Sequence, residues 1–109
     1  MSSGFSGFNI NVTEHSMEEL LEEIKRLGYR TARSKRLDYR ETDREVGYQI
    51  LDTDITIGDP KQFMGFPGKP TLIMVFLPFP STGLLKYDKD MNRKLYNKLK
   101  RKFEASFNR

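Results

Sequence analysis

The residues best suited to bind another molecule are the cations near the end of the chain. Residues 71–109 carry nine lysines and arginines against three acids. Five of these cations recur over a short helical stretch, and they are Arg93, Lys94, Lys98, Lys100 and Arg101. Cations aligned along a helix can contact successive phosphates and release their counterions. The pattern predicts a small module that binds the phosphate backbone of DNA or RNA.

An acidic segment earlier in the chain offers a different explanation for these cations. Residues 1–28 hold five acids against two bases, so one surface of the folded chain can neutralise another. Lysine-rich helix faces also occur simply because they are solvated. Against this, the basic segment contains few acids of its own, unlike a helix stabilised by i,i+4 ion pairs. The choice depends on whether the two charged segments meet in the fold.

A second group of cations lies between residues 30 and 40 and is interleaved with tyrosines. Its members are Arg30, Arg33, Lys35, Arg36 and Arg40, with Tyr29 and Tyr39 beside them. Arginine next to aromatic rings suits stacking on nucleobases, so Arg33, Lys35 and Arg36 join the predicted nucleic-acid contacts. Charges on an edge strand also prevent sheets from pairing with one another, and this simpler interpretation is favoured.

The segment from residue 58 to residue 70 combines glycines and prolines with large apolar side chains. Phe63, Met64 and Phe66 stand within it. Such residues on a loop either pack beneath the domain or protrude as anchors for another protein. The second possibility defines the alternative function, a protein-binding, inhibitory or regulatory module that uses this loop and the charged surface.

Residues suited to catalysis or metal binding are sparse. Asp52, Asp54 and Asp59 form the one carboxylate group suited to a hard cation, because alternate residues of a strand point the same way. No spacing fixes a third ligand, so a turn or a solvated face is favoured. His15 is the single histidine and the chain has no cysteine, which excludes thiolate nucleophiles, disulfides and Cys-rich metal sites. We predict no metal or cofactor, and enzymatic activity is the least favoured class.

Two helices are expected to position these groups. Ser16 and Glu19 form a capping box, in which hydroxyl and carboxylate satisfy free amides, and Gly28 suits the C-terminal cap. The apolar residues between these signals recur at helical spacing, at Met17, Leu20, Leu21, Ile24 and Leu27. A second helix is predicted from about Asp88 to Phe107, with its core side formed by Met91, Leu95, Leu99, Phe103 and Phe107.

The remaining apolar patterns predict strands. Residues 8–12 alternate apolar and polar side chains, residues 29–39 and 46–57 suit two antiparallel strands, and residues 71–77 are an unbroken apolar run typical of a central strand buried on both faces. In 46–57 the apolar residues change parity, which requires a bulge or bend, or a core on both sides of the sheet. The order is therefore β-α-β-β-β-α, an α+β fold in which an antiparallel sheet of three to four strands packs against two helices.

The length of 109 residues suits one domain. We expect it to span residues 8–109 after a flexible segment, residues 1–7. No apolar run approaches the roughly 18 residues of a membrane helix, and the first residues lack the features of a signal peptide. We therefore expect a cytoplasmic protein without membrane contact, either a monomer or a homodimer.

Overall fold

The computed structural model describes residues 4–34, 47–58 and 72–104. Within these ranges the chain forms five strands, two α-helices and one 3-10 turn. In chain order they are β1 (Phe5–Asn11), α1 (Met17–Arg26), β2 (Thr31–Ser34), β3 (Gly47–Ile50), β4 (Thr56–Gly58), β5 (Leu72–Pro78), the 3-10 turn (Pro80–Thr82) and α2 (Lys89–Phe103). The α+β class with an antiparallel sheet and two helices is confirmed, and the sheet has five strands where the sequence predicts three to four.

The sheet has the strand order β1-β5-β4-β3-β2, and each neighbouring pair is antiparallel. Strands β2 to β5 follow one another as a meander, whereas β1 pairs with the last strand. This pairing runs from Phe5 opposite Pro78 to Asn11 opposite Leu72. Strand β1 begins at Phe5, earlier than the alternation predicts. Strands β1 and β2 form the two edges of the described sheet.

The segment predicted as one strand over residues 46–57 is a hairpin. A turn at residues 51–54 separates β3 from β4, and the N–H of Ile50 donates to the carbonyl of Ile55 across it (3.0 Å). The hydroxyl of Thr53 donates to the carbonyl of Ile50 (2.8 Å), which closes the turn from inside. The turn is the bend that the change of parity required. It returns the chain so that Tyr48 lies opposite Ile57 on one face.

The hydrophobic core lies on one face of the sheet, beneath both helices. The buried strand residues are Phe8, Ile10, Ile50, Ile55, Ile57, Ile73, Val75 and Leu77. The helices contribute Leu20 and Ile24 from α1, and Leu95, Tyr96, Leu99 and Phe103 from α2. On the opposite face of β5, Met74 and Phe76 are half-buried. The prediction that this segment is a central strand is confirmed, because β5 lies between β1 and β4. Only one of its two faces is fully buried.

The residues at the beginning of α1 contact the end of α2. The hydroxyl of Ser16 caps α1 by accepting the N–H of Glu19 (3.0 Å). In the predicted capping box the carboxylate of Glu19 would accept the backbone N–H of Ser16. Instead, this carboxylate contacts the imidazole of His15 (2.8 Å). The imidazole also meets the ring of Phe103 edge to face, with 5.0 Å between centroids. The beginning of α1 therefore lies beside the end of α2.

Candidate functional site

The outward side of α2 presents a row of three cations. Lys94, Lys98 and Arg101 are separated by four and three residues, so their side chains emerge on one side of the helix. All three are exposed. At about 1.5 Å per residue the row is roughly 10 Å long. We call these three residues the basic row.

The other two predicted cations of α2 lie on a different side of the helix. Successive helical residues are rotated by about 100°, so Arg93 points well away from Lys94. Arg93 is exposed beside a hollow at the 3-10 turn that is also lined by Pro80 and Leu85. Lys100 is half-buried, and its Nζ lies 4.0 Å from Oε1 of Glu104. The structure therefore separates the five predicted cations into the basic row and a second flank.

The acidic helix α1 meets α2 at Glu23. Nζ of Lys102 donates to Oε1 of Glu23 over 3.1 Å, and Nε of Arg26 donates to the same oxygen over 2.9 Å. The Glu23 side chain is 10% exposed. Its hydrogen bonds, first with Arg26 and then with Lys102, outweigh the effect of burial and lower the pKa of Glu23 to about 2. Among the described residues this is the one ion pair between the two helices.

The basic row takes no part in this neutralisation. Within the described ranges, Lys94, Lys98 and Arg101 form neither an ion pair nor a side-chain hydrogen bond. Two acids of α1 are engaged elsewhere, because Glu19 contacts His15 and Glu23 holds Arg26 and Lys102. The other two, Glu18 and Glu22, are exposed and pair with none of the three cations of the basic row. The cations of the row remain available to an anion from outside the domain.

An open groove of about 510 Å³ lies between the end of α1 and the first half of α2. Its apolar lining consists of Leu27, Tyr29, Met91 and Leu95. The first two are placed by the end of α1, where Gly28 adopts a left-handed backbone (φ 95°) and the N–H of Tyr29 donates to the carbonyl of Ile24 (3.1 Å). This reversal directs Leu27 and Tyr29 toward α2. We call this feature the interhelical groove.

Charged residues of opposite sign line different parts of the interhelical groove. Lys94 and Lys98 line it along the basic row, and Asp88 and Asp90 line it at the beginning of α2. Asp88 caps the helix by accepting the N–H of Met91 (3.0 Å) and of Asp90 (2.7 Å), and these bonds lower the pKa of Asp88. Asp90 is exposed. The groove thus combines an apolar wall, a cationic side and an acidic end.

Arg33, predicted from the second basic group, is engaged within the protein. It lies on the edge strand β2, and its Nη1 donates to the hydroxyl of Tyr48 (2.8 Å). Its guanidinium also lies 4.8 Å from the centre of that ring. Lys35 and Arg36 lie outside the described residues. The structure therefore does not bring Arg33 together with the basic row.

The predicted partner-binding residues Phe63, Met64 and Phe66 lie outside the described residues as well. Their role in a protein-binding module stays a prediction. The candidate site rests instead on the two helices and the turn that joins α1 to β2, all of which belong to the described ranges.

The two described aspartates of the possible metal group lie in the β3–β4 turn. Asp52 is exposed with a left-handed backbone (φ 64°). The Asp54 carboxylate accepts the N–H groups of Lys86 and Tyr87 (3.0 Å each) and the side-chain amide of Asn92 (2.8 Å). Asp59 lies outside the described residues. Among the residues the structure describes, no three His, Asp or Glu side chains cluster closely enough to hold a metal ion.

Sequence reasoning missed two features of this region. Asn92 is fully buried, and its Oδ1 accepts the N–H of Asp54 (2.8 Å), so the amide ties the hairpin turn to α2. The signal in the sequence was that Asn92 falls among the apolar residues of α2, where a buried polar side chain needs a hydrogen-bond partner. The interhelical groove was missed because Tyr29 and Lys94 are distant in sequence. The sequence places Tyr29 among residues suited to base stacking, but only the fold brings Tyr29 and Lys94 to the same groove.

Comparisons with protein-family models, with curated proteins and with solved structures find no match for this chain. Neither α-helix in the described ranges is long and apolar enough to cross a membrane. The charge of the basic row and the shape of the interhelical groove are the features that bear on function.

Proposed function

We propose that this domain binds nucleic acid through the phosphate backbone, using the basic row of α2. The observation that supports this proposal is that Lys94, Lys98 and Arg101 are exposed and unpaired among the described residues, although an acidic helix packs beside them. Exposed cations in a row attract a polyanion and gain free energy by releasing its counterions. This function requires no catalytic group.

The geometry of the row suits consecutive phosphates. Side chains four residues apart on a helix have Cβ atoms about 5 to 6 Å apart, and the long stems of lysine and arginine adjust to the backbone they meet. Neutralisation of about three phosphates predicts that log K falls with log salt with a slope of roughly −2 to −3. Binding should therefore weaken markedly between low and physiological salt.

Charge reversal tests this proposal directly. Fluorescence anisotropy with labelled single-stranded and duplex oligonucleotides, measured over a range of salt, gives the affinity and its slope. The double variant Lys94→Glu/Arg101→Glu should lose binding to both at low salt. Its matched control, Lys25→Glu/Lys86→Glu, changes the net charge equally but reverses exposed cations outside the basic row. Because the change in net charge is the same and lies outside the basic row, the control should keep most of the affinity.

Folding of both variants is checked by circular dichroism and thermal unfolding. Exposed reversals of this kind change stability little, so both proteins should unfold near the wild type. If the folded Lys94→Glu/Arg101→Glu variant binds as tightly as the wild type, the basic row is not the contact. If the control loses binding equally, the attraction is one of net charge alone, and the proposed site is also wrong.

A further inference from the structure

The interhelical groove has features that a phosphate contact alone does not require. A surface that binds only phosphates needs cations, but this groove also has an apolar wall with the ring of Tyr29 and an end formed by carboxylates. Tyr29 is half-buried, and its hydroxyl has no hydrogen bond within the described residues. The volume of about 510 Å³ falls within the range of small-molecule sites.

The charges of the groove would orient whatever enters it. A phosphate is attracted to Lys94 and Lys98 and repelled from the end that carries Asp88 and Asp90. The matching ligand is anionic at one end, flat and apolar in the middle, and a hydrogen-bond donor at the other end. A nucleotide with an amino-bearing base has these properties in that order.

We propose that the interhelical groove takes an unpaired base of single-stranded nucleic acid. This inference rests on the proposed function, because Lys94 belongs to both the basic row and the groove. The base stacks on the ring of Tyr29 and packs against Leu27 and Met91, while the adjoining phosphates lie on Lys94 and Lys98. A base within a duplex is already stacked and paired, so it cannot enter without leaving its partner.

The acidic end gives the groove a base preference through Asp90. Asp88 already accepts two backbone N–H groups, whereas the exposed Asp90 carboxylate accepts none among the described residues. A carboxylate accepts the exocyclic amino group of cytosine or adenine, which thymine and uracil lack. Oligodeoxycytidine should therefore bind more tightly than oligodeoxythymidine of equal length.

Substitutions at Tyr29 test the stacking. Tyr29→Phe keeps the ring and should bind single strands within about 3-fold of the wild type, while Tyr29→Leu keeps apolar packing but removes the ring. Tyr29→Leu should weaken single-strand binding by roughly 5- to 100-fold, which corresponds to the loss of one stacked base. Duplex binding should be the same in all three proteins. Equal single-strand affinity of the two variants would overturn the inference.

The same measurements separate this inference from the proposed function. If the wild type binds nucleic acid and the Lys94→Glu/Arg101→Glu variant does not, the proposed function stands. If Tyr29→Leu then binds single strands like the wild type, the groove does not take a base. Tighter binding of an acidic peptide than of single strands, with the same dependence on Tyr29, would also overturn the inference.

The base preference has its own test. Asp90→Ala removes the proposed acceptor, and the ratio of oligodeoxycytidine to oligodeoxythymidine affinity should fall toward one. Glu104→Ala is the control for charge alone, because it removes one negative charge at the opposite end of α2, where Glu104 does not line the groove. Both variants should bind both oligonucleotides somewhat more tightly. A ratio that Asp90→Ala leaves unchanged would contradict the proposed contact.

Discussion

Glu23 is the residue that joins the acidic and basic helices. Its carboxylate holds Arg26 of its own helix and Lys102 of α2, with Nζ of Lys102 at 3.1 Å. The hydrogen bond with Arg26 is the main reason that the pKa of Glu23 falls from 4.5 to about 2. The one ion pair between the two helices in the described ranges therefore involves Lys102 and not the basic row.

The low pKa of Glu23 predicts a pH dependence of stability. The folded state has the lower pKa, so the ion pair contributes fully above about pH 4.5 and loses its contribution as the pH falls toward 2. Glu23→Gln should reduce the fall in the free energy of unfolding over this window, as measured by urea denaturation at several pH values. Glu22→Gln is the control, because Glu22 is exposed and forms no ion pair among the described residues. Equal slopes for both variants would contradict the assignment.

Asn92 is the second residue with a defined structural role. Its amide exchanges two hydrogen bonds with Asp54, both of 2.8 Å, and is fully buried. Asn92→Ala leaves the N–H of Asp54 without this acceptor, so we expect a loss of about 1 to 3 kcal/mol in the free energy of unfolding. Asn97→Ala on the same helix, where the side chain is half-exposed, should cost less than about 0.5 kcal/mol. Chemical denaturation distinguishes the two.

At the scale of elements, the helices could be predicted from sequence and the strand pairing could not. Helix periodicity is local, so the apolar spacing in α1 and α2 identified Leu20, Ile24, Leu95 and Leu99, all of which are buried. The pairing of β1 with β5 joins residues far apart in the chain, and no local pattern encodes it. The change of parity in residues 46–57 indicates an interruption of the strand at the β3–β4 hairpin. A bulge and a turn produce the same change of parity, so the pattern does not distinguish them.

The turn of the β3–β4 hairpin contains a residue with positive φ, a backbone conformation that many side chains adopt only with strain. Asp52 has φ of 64°, a conformation that aspartate and asparagine tolerate and β-branched residues do not. Asp52→Asn should leave the free energy of unfolding within about 0.5 kcal/mol of the wild type, whereas Asp52→Val should lower it by about 1 to 2 kcal/mol. Urea denaturation measures both. Since Asp52 is exposed, equal losses would indicate that its carboxylate, and not its backbone, matters here.

At the scale of the whole molecule, the candidate site depends on how two helices and a turn come together. The helical spacing predicts Lys94, Lys98 and Arg101 as phosphate contacts, but only the fold places Lys94 and Lys98 beside a groove. Lys102 and Arg33 differ from the basic row because, although exposed, they contact Glu23 and Tyr48 of the same molecule. Composition counts these cations equally, whereas packing decides which ones remain free.

Strand β1 links the two layers of the molecule. Its Ile10 is 0% exposed, and its Phe8 meets the ring of Tyr96 in α2 edge to face, with centroids 5.3 Å apart. The neighbouring Asn9 points to the opposite face, across from Met74 of β5. One strand therefore carries a residue sealed beneath the helices next to a residue on the face that they do not cover.

This difference predicts unequal effects of the same change on adjacent residues. Ile10→Ala removes buried methyl groups and leaves a cavity between the sheet and helices, so it should lower the free energy of unfolding by about 2 to 5 kcal/mol. Asn9→Ala should cost less than about 1 kcal/mol, because it removes no core contact. For a domain with a typical stability of about 5 to 15 kcal/mol, the first loss is measurable by urea denaturation and by a lower melting temperature. Similar losses for the two variants would mean that both faces of β1 are equally buried, which contradicts a core on one side of the sheet.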